Sequence, residues 1–375
     1  MVKNISILQT AIPLKDLFGG DLFLFFQYFN LQGVFGKELD FGTTIGALYY
    51  LAYGGIFSYI DYRLTIRTFC LHTSSKYTIT VKTTKIQARF PLEEGNTPVR
   101  QIDGVYYKLE NANPTSSVKD RGVSYQVWKA ANDGFTKFCI SSSGNAAISA
   151  ATYVSLAGGS LDAFVSPKIN KEKLKKIIGE RVSVHIVRKP ISDCVKFSKK
   201  TGAFNLRASH DPSGWVGYTS VAFELDFKLG KVGSVFIPVS SGTLFYGVAR
   251  GFEKMGFIPQ LHAVQTTYCN LISRQFDKDF KKSNTSLADA LVAKTTPLEA
   301  KVVSYIKKSE GFGWVVSDKE IKEAWEYLYA NSLDTSYEGA ASLAAYKRAL
   351  HRKFNIRKPV VCLVTGRYYA QDKPD

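Results

Sequence analysis

The chain is poor in the residues that build disulfide frameworks and metal sites. Its 375 residues include only two methionines and five cysteines, which are Cys70, Cys139, Cys194, Cys269 and Cys362. The cysteines are odd in number, lie far apart and form no Cys-x-x-Cys pair. This pattern argues against a disulfide-rich secreted domain and indicates neither zinc nor another metal. A reducing compartment fits it, so we expect a cytoplasmic protein.

Histidine is also scarce, and the few that exist are not grouped. The five histidines are His72, His185, His210, His262 and His351. We interpret each as structural or exposed, because they are scattered along the chain and burial trends favour such positions. The catalytic acid or base must then be sought among other residue types.

Acidic residues are few relative to basic ones. There are 32 Asp and Glu against 49 Lys and Arg, which gives a net charge of +17. Such an excess attracts anions, and it is a first sign of nucleic-acid binding. No zinc-finger or RNP-type motif is present, however, and the basic run from Lys168 to Lys176 alternates with apolar residues at helical spacing. We interpret it as a solvated helix face and expect no nucleic-acid partner, with a basic nucleic-acid-binding protein as the non-enzyme alternative.

One long uncharged segment lies near the N-terminus. Residues Phe41 to Ile60 are twenty consecutive uncharged residues, which is long enough to span a bilayer. The segment contains four Gly, two Thr, one Ser and four Tyr, a composition that is poor for hydrocarbon. We therefore expect a buried or interfacial segment and no membrane partner. Residues 1–90 are expected to form an N-terminal extension that serves as a cap or a dimer contact.

Lys119 is the most informative residue of the chain. A lysine amine forms a Schiff base with an aldehyde only when part of its population is neutral, so such a lysine needs a partly desolvated site. A turn containing Pro114 precedes Lys119, and the spacing of Val123, Val127 and Ala130 predicts a helix after it. Taken alone, the lysine fits a solvated surface position as well.

Three other segments place small polar residues at the ends of predicted buried strands. The strands are Phe135 to Ile140, Ser234 to Val239 and Pro359 to Val364, and the polar segments that follow are Ser141-Ser142-Ser143-Gly144-Asn145, Ser240-Ser241-Gly242-Thr243 and Thr365-Gly366. The first two precede predicted helices, whose free N–H groups and dipole favour anions. A Ser/Asn N-cap or an ordinary βα turn would explain either one singly. Ligands of open α/β sheets bind at the carboxyl ends of strands, so we expect the three segments to converge.

These segments resemble, in order, the motifs of the β-family, or fold type II, pyridoxal phosphate (PLP) enzymes. That family includes threonine synthase, the threonine and serine ammonia-lyases, cysteine synthase and the tryptophan synthase β chain. The similar blocks are Glu94 to Pro98, Lys108 to Glu110 with Asn113 to Arg121, Ser142 to Ala146, Ser240 to Thr243, Thr365-Gly366 and, more weakly, Glu338 to Ser342. The resemblance covers about residues 91 to 370.

The resemblance implies a role for each site residue. The residues implied to bind PLP are Lys119, Asn145, Ser240, Ser241, Gly242, Thr243 and Thr365. Lys119 would form the Schiff base and act as the catalytic base, while Ser142 and Ser143 would hold the substrate carboxylate. Asn145 would bind the ring hydroxyl and Thr365 the pyridine nitrogen. A neutral hydroxyl cannot protonate that nitrogen as a carboxylate would, which suits elimination and replacement at Cβ or Cγ.

The motifs also suggest a reaction. The blocks around Glu94 and Ser142 are most similar to threonine synthase and the ammonia-lyases, whereas Ser117-Val118-Lys119 is closer to cysteine synthase. We expect threonine synthase-like chemistry on O-phosphohomoserine first, a phosphorylated amino acid that suits the positive field. Serine/threonine ammonia-lyase and cysteine synthase-like β-replacement are the alternatives. A non-enzymatic PLP-fold binding protein is disfavoured, because Lys119 is present.

Alternating strand and helix patterns from Phe135 onward predict parallel sheets covered by helices. The implied fold is α/β, with two three-layer α/β/α domains and the cofactor in the cleft between them. We expect the larger domain to comprise residues 91–111 and 206–375 and the smaller one residues 112–205. Helices from Asp318 to Tyr329 and from Gly339 to Phe354 would cover the larger sheet. A homodimer is the expected assembly.

Overall fold

The computed structural model describes residues 94–370, in which strands and helices alternate. The strands are β1 (Val99–Ile102), β2 (Val105–Leu109), β3 (Lys137–Ser141), β4 (Ser160–Val165), β5 (Val182–Ile186), β6 (Phe204–Asn205), β7 (Ser234–Pro238), β8 (Gln260–Thr266), β9 (Gly313–Val316) and β10 (Val360–Val364). The helices are α1 (Lys119–Asn132), α2 (Asn145–Leu156), α3 (Lys171–Ile177), α4 (Pro190–Thr201), α5 (Trp215–Leu229), α6 (Thr243–Lys254), α7 (Glu299–Lys308), α8 (Asp318–Ala330) and α9 (Tyr337–His351).

The expected extension over residues 1–90, including the uncharged run from Phe41 to Ile60, lies outside the described residues. Within residues 94–370, no helix combines the length and the apolar character that crossing a bilayer requires.

Two sheets organise the described residues. The larger has the strand order β1-β2-β10-β7-β8-β9, and the smaller has the order β5-β4-β3-β6. Among the strands of residues 94–370, only β1 and β2 pair in antiparallel fashion, and every other strand pairing is parallel. The prediction of an α/β fold with mostly parallel sheets is therefore confirmed. The division into domains at residues 112 and 205 stays a prediction.

The larger sheet is buried on both faces, as parallel sheets usually are. Val235 and Ile237 of β7 belong to one core, which α5, α6 and α7 cover, whereas Phe236 belongs to the core beneath α8 and α9. This division follows from the alternation of side chains along a strand. One face of the smaller sheet packs against α1 and α2, and the other packs against α4.

Two differences from the sequence predictions have clear causes. Helix α9 begins at Tyr337, two residues before the predicted start, because the Ser336 hydroxyl accepts a hydrogen bond from Gly339 N and caps the helix. Helix α5 was not predicted at all. It is buried on several sides, for example at Tyr218, Val221 and Leu225, so it lacks a clear amphipathic period.

Candidate active site

Lys119 is the first residue of α1 and lies beside the carboxyl end of β10. Val118 N, one residue earlier, donates a hydrogen bond of 2.9 Å to Thr365 O. Ser117 forms an isolated bridge with Gly366, and Arg367 N donates to Ser116 O at 3.1 Å. These backbone contacts hold the lysine turn against Thr365 and Gly366, which the sequence separates from it by more than two hundred residues.

The surroundings of Lys119 favour its neutral form. Burial lowers the pKa of the Lys119 amine below its ordinary value, and the nearby Glu338 carboxylate raises it in part. Glu338 lies in the first turn of α9 and accepts a hydrogen bond of 3.0 Å from Ala290 N. A lowered pKa increases the neutral fraction of the amine, which nucleophilic and general-base chemistry both require.

Asn145 begins α2 and approaches the same backbone turn as Lys119. A Cβ atom added to Gly366 would lie 2.9 Å from Asn145 Nδ2 and 3.5 Å from Ser117 Cβ. Glycine at position 366 therefore allows the amide side chain, the lysine turn and the end of β10 to meet. The Oδ1 atom of Asn145 is buried and has no hydrogen-bond partner among residues 94–370.

The segment from Ser240 to Thr243 follows β7, the neighbour of β10 in the larger sheet. Gly242 has φ of +85°, in the left-handed region that favours glycine, and Thr243 begins α6. The hydroxyls of Ser241 and Thr243 lie 3.0 Å apart, and Thr296 donates its hydroxyl to Ser241 O. Since β7 and β10 are parallel, this turn and Thr365 lie at the same edge of the sheet.

Ser142 and Ser143 lie in the turn that connects β3 to α2, directly before Asn145. The Ser142 hydroxyl accepts a hydrogen bond from Gly144 N at 3.3 Å, and the Ser143 hydroxyl accepts one from Ser166 N at 2.7 Å. Both hydroxyls thus shape the turn. Their predicted contact with a substrate carboxylate stays a prediction, as do the roles of the other site residues.

A short hydrogen-bonded loop holds the backbone before Lys119. Asp120 accepts a hydrogen bond from Thr115 N at 2.7 Å and another from the Thr115 hydroxyl. Burial raises the pKa of the Asp120 carboxyl to about 6, although both contacts with Thr115 lower it in part. This loop fixes the turn from which the lysine emerges.

A buried network of four charged side chains lies behind the start of α1. Glu224 accepts from Lys108 Nζ at 2.5 Å and from Arg121 Nη1 at 2.6 Å, while Glu110 accepts from Arg121 Nε at 2.6 Å. Burial alone would raise the pKa of each carboxyl, but Arg121 holds both below their ordinary value. Lys108 also donates to Thr97 O at 2.6 Å. The motifs contained three of these charges, but Glu224 was missed because its helix was not predicted.

Comparison with known proteins identifies the family of this chain. The family model described as "Pyridoxal-phosphate dependent enzyme" matches residues 90–366, well over half of the chain. The chain belongs to this family, so it is a PLP-dependent enzyme, and its fold is that of the fold type II members.

Three known proteins that are similar to the chain each share less than 30% sequence identity with it. The chain is 28% identical to human L-serine dehydratase/L-threonine deaminase over 286 residues, which is 69% of this chain and 83% of the relative. It is 26% identical to threonine synthase of Methanocaldococcus jannaschii over 301 residues, 73% of this chain and 74% of that one. Among solved structures, maize serine racemase superposes with a TM-score of 0.63 at 18% identity, covering 73% of this chain and 88% of the other. That last similarity concerns the fold alone.

Two features of the structure fit PLP at this position. The buried Asn145 Oδ1 has no partner in the described part of the chain, and buried amide atoms are rarely left without one. The Ser240 to Thr243 turn presents a left-handed glycine at the N-terminus of the twelve-residue helix α6, where backbone N–H groups favour a phosphate. A ring substituent at Asn145 and a phosphate at Gly242 would satisfy both.

Proposed function

We propose that this enzyme catalyses elimination and replacement at Cβ or Cγ of a small amino acid, with O-phosphohomoserine as the first candidate substrate, as in threonine synthase. The observation that carries this proposal is the position of Thr365 at the end of β10, beside the Lys119 turn. When PLP is bound as the motifs imply, the Thr365 hydroxyl would lie beside the pyridine nitrogen and could not protonate it as a carboxylate would. Elimination and replacement tolerate such a ring better than transamination does.

The residues have separate roles in this proposal. PLP, when bound, supplies an electron sink for the charge that develops at the substrate's α-carbon. Lys119 Nζ takes the α-proton, and its lowered pKa keeps part of the amine neutral and able to do so. The backbone N–H groups of the Ser142 turn hold the substrate carboxylate. Asn145 orients the ring, and the Ser240 to Thr243 turn binds the phosphate.

A serine/threonine ammonia-lyase is the second candidate. The relative at 28% identity carries the name L-serine dehydratase/L-threonine deaminase, which describes such a reaction. The same base and the same turn would serve it, but the leaving group would be hydroxide on Cβ and the products would include ammonia. We further propose a cytoplasmic homodimer, with the smaller domain at residues 112–205.

Absorbance of the purified full chain, with PLP added, tests both candidates. We expect a band of protein-bound PLP that changes when the substrate is added. O-phosphohomoserine, L-threonine, L-serine and O-acetylserine would be compared in turn. Release of phosphate identifies the synthase, release of ammonia the lyase, and release of acetate the cysteine synthase-like alternative.

Variants of two lysines make the test specific. Lys119→Ala should lose the covalent band and reduce turnover by at least about 10³-fold, because both the tether and the base are removed. Lys129→Ala is the matched control, since Lys129 is an exposed residue of the same helix that lies 3.8 Å from Asp133. Turnover that survives in the Lys119 variant, or a wild-type protein without a PLP band, would refute the proposal.

A further inference from the structure

Arg207 lies at the same edge of the smaller sheet as the Ser142 turn. It follows the end of β6, which pairs in parallel with β3, and Leu206 N donates to Cys139 O at 2.9 Å. Its own backbone N–H donates to Asn205 Oδ1 at 3.1 Å. Because parallel strands end at one edge, Arg207 and the turn that begins α2 face the same region.

Within residues 94–370, the guanidinium group of Arg207 has only neutral acceptors. Nη1 donates to Ser141 O at 3.0 Å, and Nε donates to the Ser209 hydroxyl at 3.1 Å. A guanidinium has five N–H donors, and neither contact uses Nη2. Arg121 and Arg348 each pair with carboxylates, but Arg207 forms no ion pair with a carboxylate of residues 94–370.

This charge is also partly removed from water. Arg207 is half-buried, and burial lowers the pKa of its guanidinium, although arginine remains protonated at neutral pH. A partly desolvated charge without a counter-charge is unfavourable, so an anion bound there would be stabilised more than it would be at the surface. Ser141 O fixes the guanidinium directly next to the turn proposed to hold the substrate carboxylate.

We propose that Arg207 is a specificity-determining residue that binds a phosphate monoester at the far end of the substrate side chain. This inference rests on the proposed function, because it takes the α-carboxylate of the same substrate to lie at the Ser142 turn. The planar fork of arginine matches two phosphate oxygens, and such charge-assisted pairs are among the stronger polar contacts in proteins. The enzyme would therefore prefer a phosphorylated amino acid to its free alcohol.

Titrations of the PLP-loaded enzyme with O-phosphohomoserine and with L-homoserine test this inference, because the two ligands differ only in the phosphate. The change in the absorption band of bound PLP reports the dissociation constant of each without requiring turnover. Arg207→Gln should raise the constant for O-phosphohomoserine by about tenfold or more and leave that for L-homoserine within about twofold. Arg207→Lys should give an intermediate loss, since it keeps the charge without the fork.

Arg181→Gln is the charge-matched control. Arg181 is an exposed residue of the same sheet region that donates to Gly158 O at 2.9 Å, away from the Ser142 turn. We expect no more than about a twofold change for it, the loss expected from one distant surface charge. An equal loss in Arg181→Gln would mean that the overall positive field, not Arg207, attracts the phosphate.

Other outcomes separate this inference from the proposed function. An equal loss for both ligands in Arg207→Gln would overturn the inference, because the residue would then serve the turn or the α-carboxylate. No loss for either ligand would overturn it as well. If Arg207→Gln does not retain PLP, Arg207→Lys replaces it in the test. A ratio of the dissociation constants of the two ligands equal to that of the wild type would then refute the inference. A wild-type band that responds to no amino acid would refute the proposed function itself.

Discussion

Two opposing effects act on the amine of Lys119. Its pKa is lowered by burial, while Glu338 opposes the shift. The carboxylate stabilises the ammonium form, so it limits how much neutral amine is present at a given pH. Glu338 begins the block from Glu338 to Ser342, which resembles the family only weakly, and no role was predicted for it.

We therefore predict that Glu338→Gln shifts the pH dependence of PLP incorporation to lower pH. Removal of the negative charge makes the ammonium form less stable and lowers the pKa of Lys119, so the reactive neutral amine appears at lower pH. The measurement is the rate at which the PLP band develops after PLP is added to the PLP-free protein, recorded across a pH series.

Glu326→Gln controls for the loss of one carboxylate. Glu326 lies on the surface of α8, where its carboxylate is 3.8 Å from Lys322. Its profile should match that of the wild type. A profile of Glu338→Gln that moves to higher pH, or does not move, would contradict the electrostatic role given to Glu338.

The junction of β7 with α6 depends on one backbone conformation. Gly242 has φ of +85°, and a Cβ added there would lie 3.0 Å from Val302 Cγ2. The conformation turns the chain from the strand into the helix, whose first N–H groups have no partner within the helix. Ser240 and Ser241 both carry a Cβ, so Gly242 is the residue of this turn that adopts positive φ without strain.

Gly242→Ala should lower both stability and PLP affinity. We expect a loss of about 1–2 kcal/mol in the free energy of unfolding, because a residue with a Cβ is strained at positive φ. The control is Gly256→Ala. Gly256 lies just after α6 and also has a positive φ, of +83°, but no atom of the described residues lies within 4 Å of a Cβ added there. Both variants should lose stability in urea unfolding, and only Gly242→Ala should bind PLP more weakly. Equal PLP affinity in the two variants would show that the turn does not hold the phosphate.

The buried charges behind α1 connect distant parts of the molecule. Lys108 belongs to β2, Arg121 to α1 and Glu224 to α5, and Glu110 follows β2 directly. The two positive and two negative charges balance, so each is compensated only while all four are present. Buried ion pairs of this kind contribute little net stability when intact but are costly to break, since a charge is then left without its partner.

Glu224→Gln should destabilise the protein by about 3–5 kcal/mol, because Lys108 and Arg121 would share the single carboxylate of Glu110. Urea unfolding of the PLP-free protein measures the loss. The control is Glu323→Gln, because Glu323 forms an ion pair of 3.9 Å with Lys319 on the exposed face of α8. Such a surface pair should contribute no more than about 1 kcal/mol. Losses of similar size in the two variants would contradict the assignment of a coupled buried network.

Much of the fold followed from local patterns. The predicted strands ending near Ile140, Val239 and Val364 exist within one or two residues of their predicted bounds, since apolar runs between turn residues mark buried strands. Helices α5 and α7, the hairpin of β1 with β2, and strands β6, β8 and β9 were not predicted. Helix α5 was missed because a helix that is buried on several sides lacks the amphipathic pattern by which a surface helix is predicted.

Much of the chemistry of the site could also be predicted from local motifs, because each motif contains the residue types that the chemistry needs. Each motif can be recognised separately in the sequence: a lysine after a proline turn, serines and an asparagine before a helix, and a threonine at the end of a strand. What periodicity could not supply is proximity: the meeting of Thr365 with Val118, the close approach of Asn145 to Gly366, and the pairing of Glu224 with Lys108. Such contacts depend on which parallel strands are neighbours and where helices cross, and these are properties of the whole packed chain. The lowered pKa of Lys119, and the lack of a carboxylate partner for Arg207 among the residues that the structure describes, belong to the same group, since burial and distance exist only after folding.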